Sequence, residues 1–128
     1  MAFVMSDTDV LVDAIRGVQP QRSILDGLVQ RGELMTNAVT MFELELGARA
    51  EAQRERMEFF LASIPILPFE ELAAKRAGQI MRFLSAAGLS IDRADAMIAG
   101  IALTNGVPLL TRNIRHFERV PGLRVITL

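Results

Sequence analysis

Ala2-Phe3-Val4-Met5-Ser6-Asp7-Thr8-Asp9 is the stretch from which the rest of the chain can be read. Its apolar run, residues 2–5, has the character of a short strand buried on both faces. Polar residues end the run, and a carboxylate, Asp7, stands where the strand gives way to a helix. Asp9 is expected to cap that helix, which should continue to about Ile15 and stop at Gly17. Two further acids are expected at similar junctions: Glu43 in Thr40-Met41-Phe42-Glu43 and Asp95 in Asp92-Arg93-Ala94-Asp95. A parallel sheet opens the carboxyl ends of its strands onto one crevice, where acids distant in sequence can meet. Carboxylates that share a pocket repel one another unless a cation neutralises them, and hard oxygen ligands favour Mg²⁺ or Mn²⁺.

Outward from this stretch, Pro20 suits the first turn of a second helix, with Ile24, Leu25, Leu28 and Val29 on one face and Gly32 as its stop. Residues 34–36 make a short second strand, and Thr40 opens a third helix. Met57, Phe60, Leu61 and Ile64 repeat at helical spacing and give a fourth helix an apolar face, ended by Pro65. Ile66 and Leu67 form a third strand. Ala73, Ala77, Ile80 and Leu84 are the inner stripe of another helix, closed by Gly88. The helix over 93–104 is apolar nearly all round and should lie centrally, with Asn105-Gly106 as its end. Residues 107–111 and 124–128 complete the strands. Strands alternating with helices predict an α/β fold, a short central parallel sheet of about five strands flanked by helices. With no linker or repeat, residues 1–128 read as a single domain.

Composition narrows the function. The chain is 51% hydrophobic and contains no cysteine, which excludes disulfides, thiolate catalysis and thiolate metal sites. That usage fits a reducing, cytoplasmic setting. The first six residues are too short for a targeting segment, and no apolar run approaches the roughly 20 residues of a transmembrane helix. A net charge of −1 does not mark a strongly basic nucleic-acid binder, although a cluster of metal-binding acids would mask basic residues elsewhere. A mean hydropathy of +0.31 is high for a small soluble monomer and points to apolar surface covered by a partner or a second copy.

Each acid also has a structural use. Thr40-x-x-Glu43 has the form of a capping box. Asp92 can cap its helix, with Asp95 in the first turn where the dipole favours negative charge. Asp7 and Asp9 can serve a turn and a cap. Spacing alone leaves both readings open.

Four blocks carry a resemblance. Asp7-Thr8-Asp9-Val10-Leu11-Val12 resembles the opening motif of PIN-domain proteins. Thr40-Met41-Phe42-Glu43-Leu44-Glu45-Leu46-Gly47-Ala48 resembles the second, with Glu43 at the metal-binding glutamate. Asp95-Ala96-Met97-Ile98-Ala99 resembles the third. Leu110-Thr111-Arg112-Asn113-Ile114-Arg115-His116-Phe117, running on to Pro121-Gly122-Leu123, is similar to the C-terminal motif of VapC-type toxins. The blocks span nearly the whole chain in order. The resemblance implies a PIN-like fold and a metal-dependent endoribonuclease toxin. Asp7, Glu43 and Asp95 would then bind one or two Mg²⁺ or Mn²⁺ ions. It also implies an RNA substrate, a homodimer, and inhibition by a small VapB-like antitoxin whose tail covers the acidic pocket.

One departure bears on this. Many members carry a fourth acid after the fourth strand; here Asn113 stands there, and His116 replaces another aspartate. Asn113 remains a candidate catalytic residue, through its carbonyl oxygen or a held water, and the change affects a second ion more than the first. His116 reads as a positioning or surface residue. Thr111, Arg112 and Arg115 are candidates for phosphate contact, and Thr111 could alternatively orient an acid. Arg119, Arg124, Glu45 and Asp13 read as solvent-facing. The absence of Trp and Tyr argues against a stacking platform for bases. Two other classes compete. A phosphoacceptor domain would need a late lysine, and the chain's one lysine, Lys75, lies in a helix. A catalytically inactive PIN-like binding module is left open by Asn113.

Overall fold

The structure, a computed structural model, describes residues 2–128. Its strands are β1 (Val4–Ser6), β2 (Leu34–Asn37), β3 (Ile66–Leu67), β4 (Leu109–Thr111) and β5 (Val125–Thr127). Its helices are α1 (Thr8–Ile15), α2 (Gln21–Gln30), α3 (Ala38–Gly47), α4 (Glu51–Leu61), α5 (Glu71–Ala86), α6 (Arg93–Asn105) and α7 (Ile114–Phe117). The strands form one sheet in the order β3-β2-β1-β4-β5, and every neighbouring pair is parallel. This is the expected five-stranded α/β architecture.

The sheet is central because its strands are apolar on both faces. Val4 packs into a cluster with Val10, Leu11, Leu25, Leu34, Leu44, Met57 and Leu61. Met5 packs into a second cluster with Ile80, Leu84, Ile98, Ile101 and Phe117. Leu109 and Leu110 divide in the same way, one to each core, as the two-residue period of a strand requires. The four residues expected as the inner stripe of α5 are all buried. They pack against α6, where Gly100 lets the helices approach: a Cβ built there would lie 2.6 Å from the Ala73 carbonyl oxygen. Gly106 ends α6 in a left-handed conformation, φ 62°, a region that glycine enters without penalty.

Several expected boundaries are corrected. β1 begins at Val4, not residue 2, and extends to Ser6. The cap of α1 is Asp7, whose Oδ1 accepts from the Val10 amide, rather than Asp9. Helix α3 starts at Ala38 with Asn37 as cap, so Thr40 lies inside its first turn and the expected Thr40–Glu43 capping box does not form. Only Leu25 of the expected α2 stripe is fully buried, and Ile64 lies beyond the end of α4. β4 and β5 are shorter than read, and α7 was not anticipated. Asp95 does not follow a strand at all: α6 is reached from α5 through a loop. No helix among the described residues is long and apolar enough to cross a membrane.

Candidate active site

The chain runs from β1 outward to β2 on one side, while β4 and β5 lie on the other, so the crevice above β1 and β4 is the switch point of the sheet. The Asp7 amide donates to Leu110 O at 3.1 Å, holding the first acid against the neighbouring strand as β1 ends. A cleft of about 300 Å³ opens there, lined by Asp7, Thr8, Asp9, Glu43, Asp92, Asp95, Ile98, Asn113 and His116. Glu43 comes from α3 and Asp95 from the first turn of α6. Five carboxylates and no Lys or Arg therefore face one space.

Each of the three nominated acids is held by a neighbour. Thr111 Oγ1 donates to Asp7 Oδ2, and the same hydroxyl oxygen accepts from the Asn113 amide at 2.9 Å. Thr8 Oγ1 donates to Glu43 Oε1. A hydroxyl has one proton, so the 3.1 Å contact between the Thr8 and Thr40 hydroxyls is made with Thr40 as donor. Asn37 Nδ2 donates in turn to Thr40 Oγ1 at 3.1 Å, so a relay from the β2–α3 junction ends on Glu43. The His116 ring lies 3.4 Å from Asp95 Oδ2 and 3.0 Å from Asn113 Nδ2.

Burial dominates the electrostatics. It pushes the Asp7 carboxyl up to about 6, against the lowering effect of the Thr111 hydroxyl and the Val10 amide, and Asp9 and Asp95 add repulsion. Asp95 is raised as well, again chiefly by burial, with the bond to His116 opposing the rise. Buried acids that resist ionisation face further acids here, with His116 beside Asp95 and no Lys or Arg in the lining, so the cleft gathers more acids than basic groups.

Comparison with known proteins places this arrangement. The PIN domain profile matches residues 4–123. The chain belongs to the PIN-domain family. Among similar proteins, the tRNA(fMet)-specific endonuclease VapC of Shigella flexneri is 34% identical, over 97% of this chain and 96% of its own. Ribonuclease VapC10 of Mycobacterium tuberculosis is 33% identical over 95% of this chain and 91% of its own. The crystal structure of DNA-bound VapBC from Salmonella typhimurium contains a chain of the same fold, TM-score 0.86 and 29% identical, covering 99% of this chain and 98% of that one.

Within this PIN domain, the donors facing the cleft are almost all hard oxygens, which suits a divalent cation such as Mg²⁺ or Mn²⁺. Among the described residues no three acids or histidines are gathered closely enough to enclose an ion. The basic residues are placed differently from expectation. Arg112 pairs with Asp13 at 3.2 Å, so Asp13 is not the free solvent-facing acid expected. Arg115 is exposed and outside the cleft lining. Thr111 is fully buried with its hydroxyl on Asp7, the position expected of its alternative reading as a residue that orients an acid. Lys75 pairs with Glu71 on the exposed side of α5 and does not line the acidic cleft. Sequence reading had missed Thr8 as a partner of Glu43 and had given no role to Asn37 or to Thr40 beyond capping. Thr8 and Thr40 carry only the signal of a small polar residue one or three positions from an acid, and Asn37, six positions before Glu43, carries none.

Proposed function

We propose that this PIN domain is a metal-dependent endoribonuclease toxin that hydrolyses RNA phosphodiester bonds and is neutralised by a VapB-like antitoxin. The observation that carries the reading is the meeting of Asp7, Glu43 and Asp95, from three separate elements, in one cleft whose lining holds no Lys or Arg. Its support outside the chain is full-length similarity to proteins named as VapC nucleases. When bound, a Mg²⁺ or Mn²⁺ ion neutralises charge on the scissile phosphate and raises the acidity of nearby water. Asp7, Glu43 and Asp95 would hold it. Thr111 and Thr8 would fix the rotamers of Asp7 and Glu43, and the Asn113 side chain would orient a water or a phosphate oxygen. Arg115, exposed and without an ion pair among the described residues, would meet the RNA backbone; Arg112 would first have to leave Asp13.

The apolar surface agrees with a covered state. Phe42, Leu46 and Phe59 are 66%, 69% and 85% exposed. They would be buried by the antitoxin or in a homodimer, and a basic residue on the antitoxin tail would suit the acidic cleft. The proposed setting is the cytoplasm, where RNA and antitoxin are both available.

The test is cleavage of total RNA and of initiator tRNA by the purified, antitoxin-free protein. Initiator tRNA is included because the Shigella relative is named for it. Cutting with Mg²⁺ or Mn²⁺ and its loss in EDTA is the expected result. No cutting of either RNA by folded, metal-supplied protein would favour an inactive binding module. Two substitutions refine the picture. Thr111→Val, which keeps shape but removes the donor to Asp7, is expected to lower kcat about tenfold with KM for RNA nearly unchanged. Arg115→Ala is expected to raise KM about threefold with kcat unchanged, and to flatten the salt dependence of binding by about one unit of slope. Both are checked by steady-state cleavage kinetics across a salt series.

A further inference from the structure

His116 is the chain's one histidine, and no step above uses it. Its ring lines the acidic cleft from α7, beside Asp95 and Asn113. The inward atom is Nδ1, 3.0 Å from Asn113 Nδ2 and 3.4 Å from Asp95 Oδ2. These neighbours make opposite demands. To accept from the amide, Nδ1 must present its lone pair; to serve Asp95, it must present an N–H. With the lone pair presented, Nδ1 and Asp95 Oδ2 are two electron-rich atoms side by side, facing the same space. Their separation is near the edge of an octahedron with bonds of roughly 2.1 Å, which is about 3 Å. The His116 side chain is 42% exposed, so small ring rotations meet little packing resistance.

Resting on the reading of the cleft as a divalent-cation site, we infer that His116 is a nitrogen ligand, acting through Nδ1 next to Asp95. The inference extends to ion preference: the cleft favours Mn²⁺ and later transition ions over Mg²⁺. Asn113 brings no charge, so beside Asp95 this corner of the cleft adds an amide and an imidazole rather than a second carboxylate. Mg²⁺ gains little from imidazole, whereas affinity for nitrogen rises from Mn²⁺ through Co²⁺ to Ni²⁺. A simple hydrogen bond from His116 to Asp95 would instead orient the acid and favour every divalent ion alike.

The experiment uses tag-free, full-length protein carrying isotopically labelled histidine nitrogen. Pulsed electron paramagnetic resonance of added Mn²⁺ should detect coupling to one labelled nitrogen. Calorimetric titration of His116→Asn and His116→Gln should show Mn²⁺ affinity reduced about tenfold and Mg²⁺ affinity by less than about threefold. Bound Mn²⁺ without nitrogen coupling, or an equal loss for both ions, overturns the ligand role and leaves the cation site standing. A parent protein that binds neither ion overturns the cation site itself. The labelled parent decides the ligand question even where a variant fails to fold.

Discussion

Asp7→Asn is expected to abolish RNA cleavage, by about a thousandfold or more in kcat/KM, while making the metal-free protein more stable. The two effects have one origin. Asn preserves the cap of α1, since its carbonyl oxygen accepts from Val10 as well as a carboxylate does. Its amide can also pair with the buried Thr111 hydroxyl. What it removes is a charge that burial disfavours. The Asp7 carboxyl, ordinarily near 3.8, is pushed up to about 6 in the folded chain. The folded protein therefore holds this proton to higher pH than the unfolded one. Stability from this group is complete below about pH 4 and is lost as pH rises through about 6. At neutral pH in EDTA the variant should exceed the parent by up to about 3 kcal/mol, with the gap closing in acid. Urea unfolding across pH measures this. Added Mn²⁺ should raise the parent's midpoint and leave that of the variant unchanged. Equal cleavage by the folded variant would assign the activity to a contaminating nuclease.

Gly100→Ala should destabilise the fold by about 1–3 kcal/mol, where the same exchange in an open helix stabilises by up to about 1 kcal/mol. The sign is reversed by what the new methyl meets: 2.6 Å to Ala73 O, 3.1 Å to Ala77 N and 3.3 Å to Ala77 Cβ. Two of these are backbone atoms, which cannot rotate away, so α5 and α6 must separate. Gly78 in α5 is the internal control, because a Cβ there meets nothing within 4 Å; Gly78→Ala should gain stability. Thermal unfolding of the two variants side by side should move Tm in opposite directions, by about 4 °C for each kcal/mol. A fall in Tm for Gly78→Ala, or a rise for Gly100→Ala, would show that the helix contact is looser than described.

Much of the architecture could be read from patterns that act within one element. Ala73, Ala77, Ile80 and Leu84 announce a buried stripe because the helical period alone puts them on one side, and all four are buried. Ile66-Leu67, framed by prolines, was legible as a strand for similarly local reasons. Caps were harder. Thr40-x-x-Glu43 fits an N-terminal pattern, yet β2 runs on to Asn37 and the cap falls there instead. Helix α7, four residues long, is too short for any periodicity to declare it. Asp95 was read as following a strand because the fold implied a crevice of strand ends, but a helix brings it to that crevice. The acids themselves are legible in the sequence, and Thr111 and His116 as residues that could position one, yet which acid each meets is not, and neither is Thr8 as a partner. Thr8 reaches Glu43 across 35 positions and His116 reaches Asp95 across 21, and nothing in a local pattern encodes such pairings.

The division of β1 and β4 between the two cores has a consequence for how the molecule fails. Val4 and Leu110 belong to one core, Met5 and Leu109 to the other, so the strands that seat Asp7 and Thr111 are a seam stitched from both sides. Neither half can melt and leave the other its inner wall. Opening is therefore expected to be cooperative across the whole chain, with the slowest amide exchange along this seam. Partial unfolding cannot leave a damaged molecule that still cuts: the acids keep their register with the entire structure or lose it altogether.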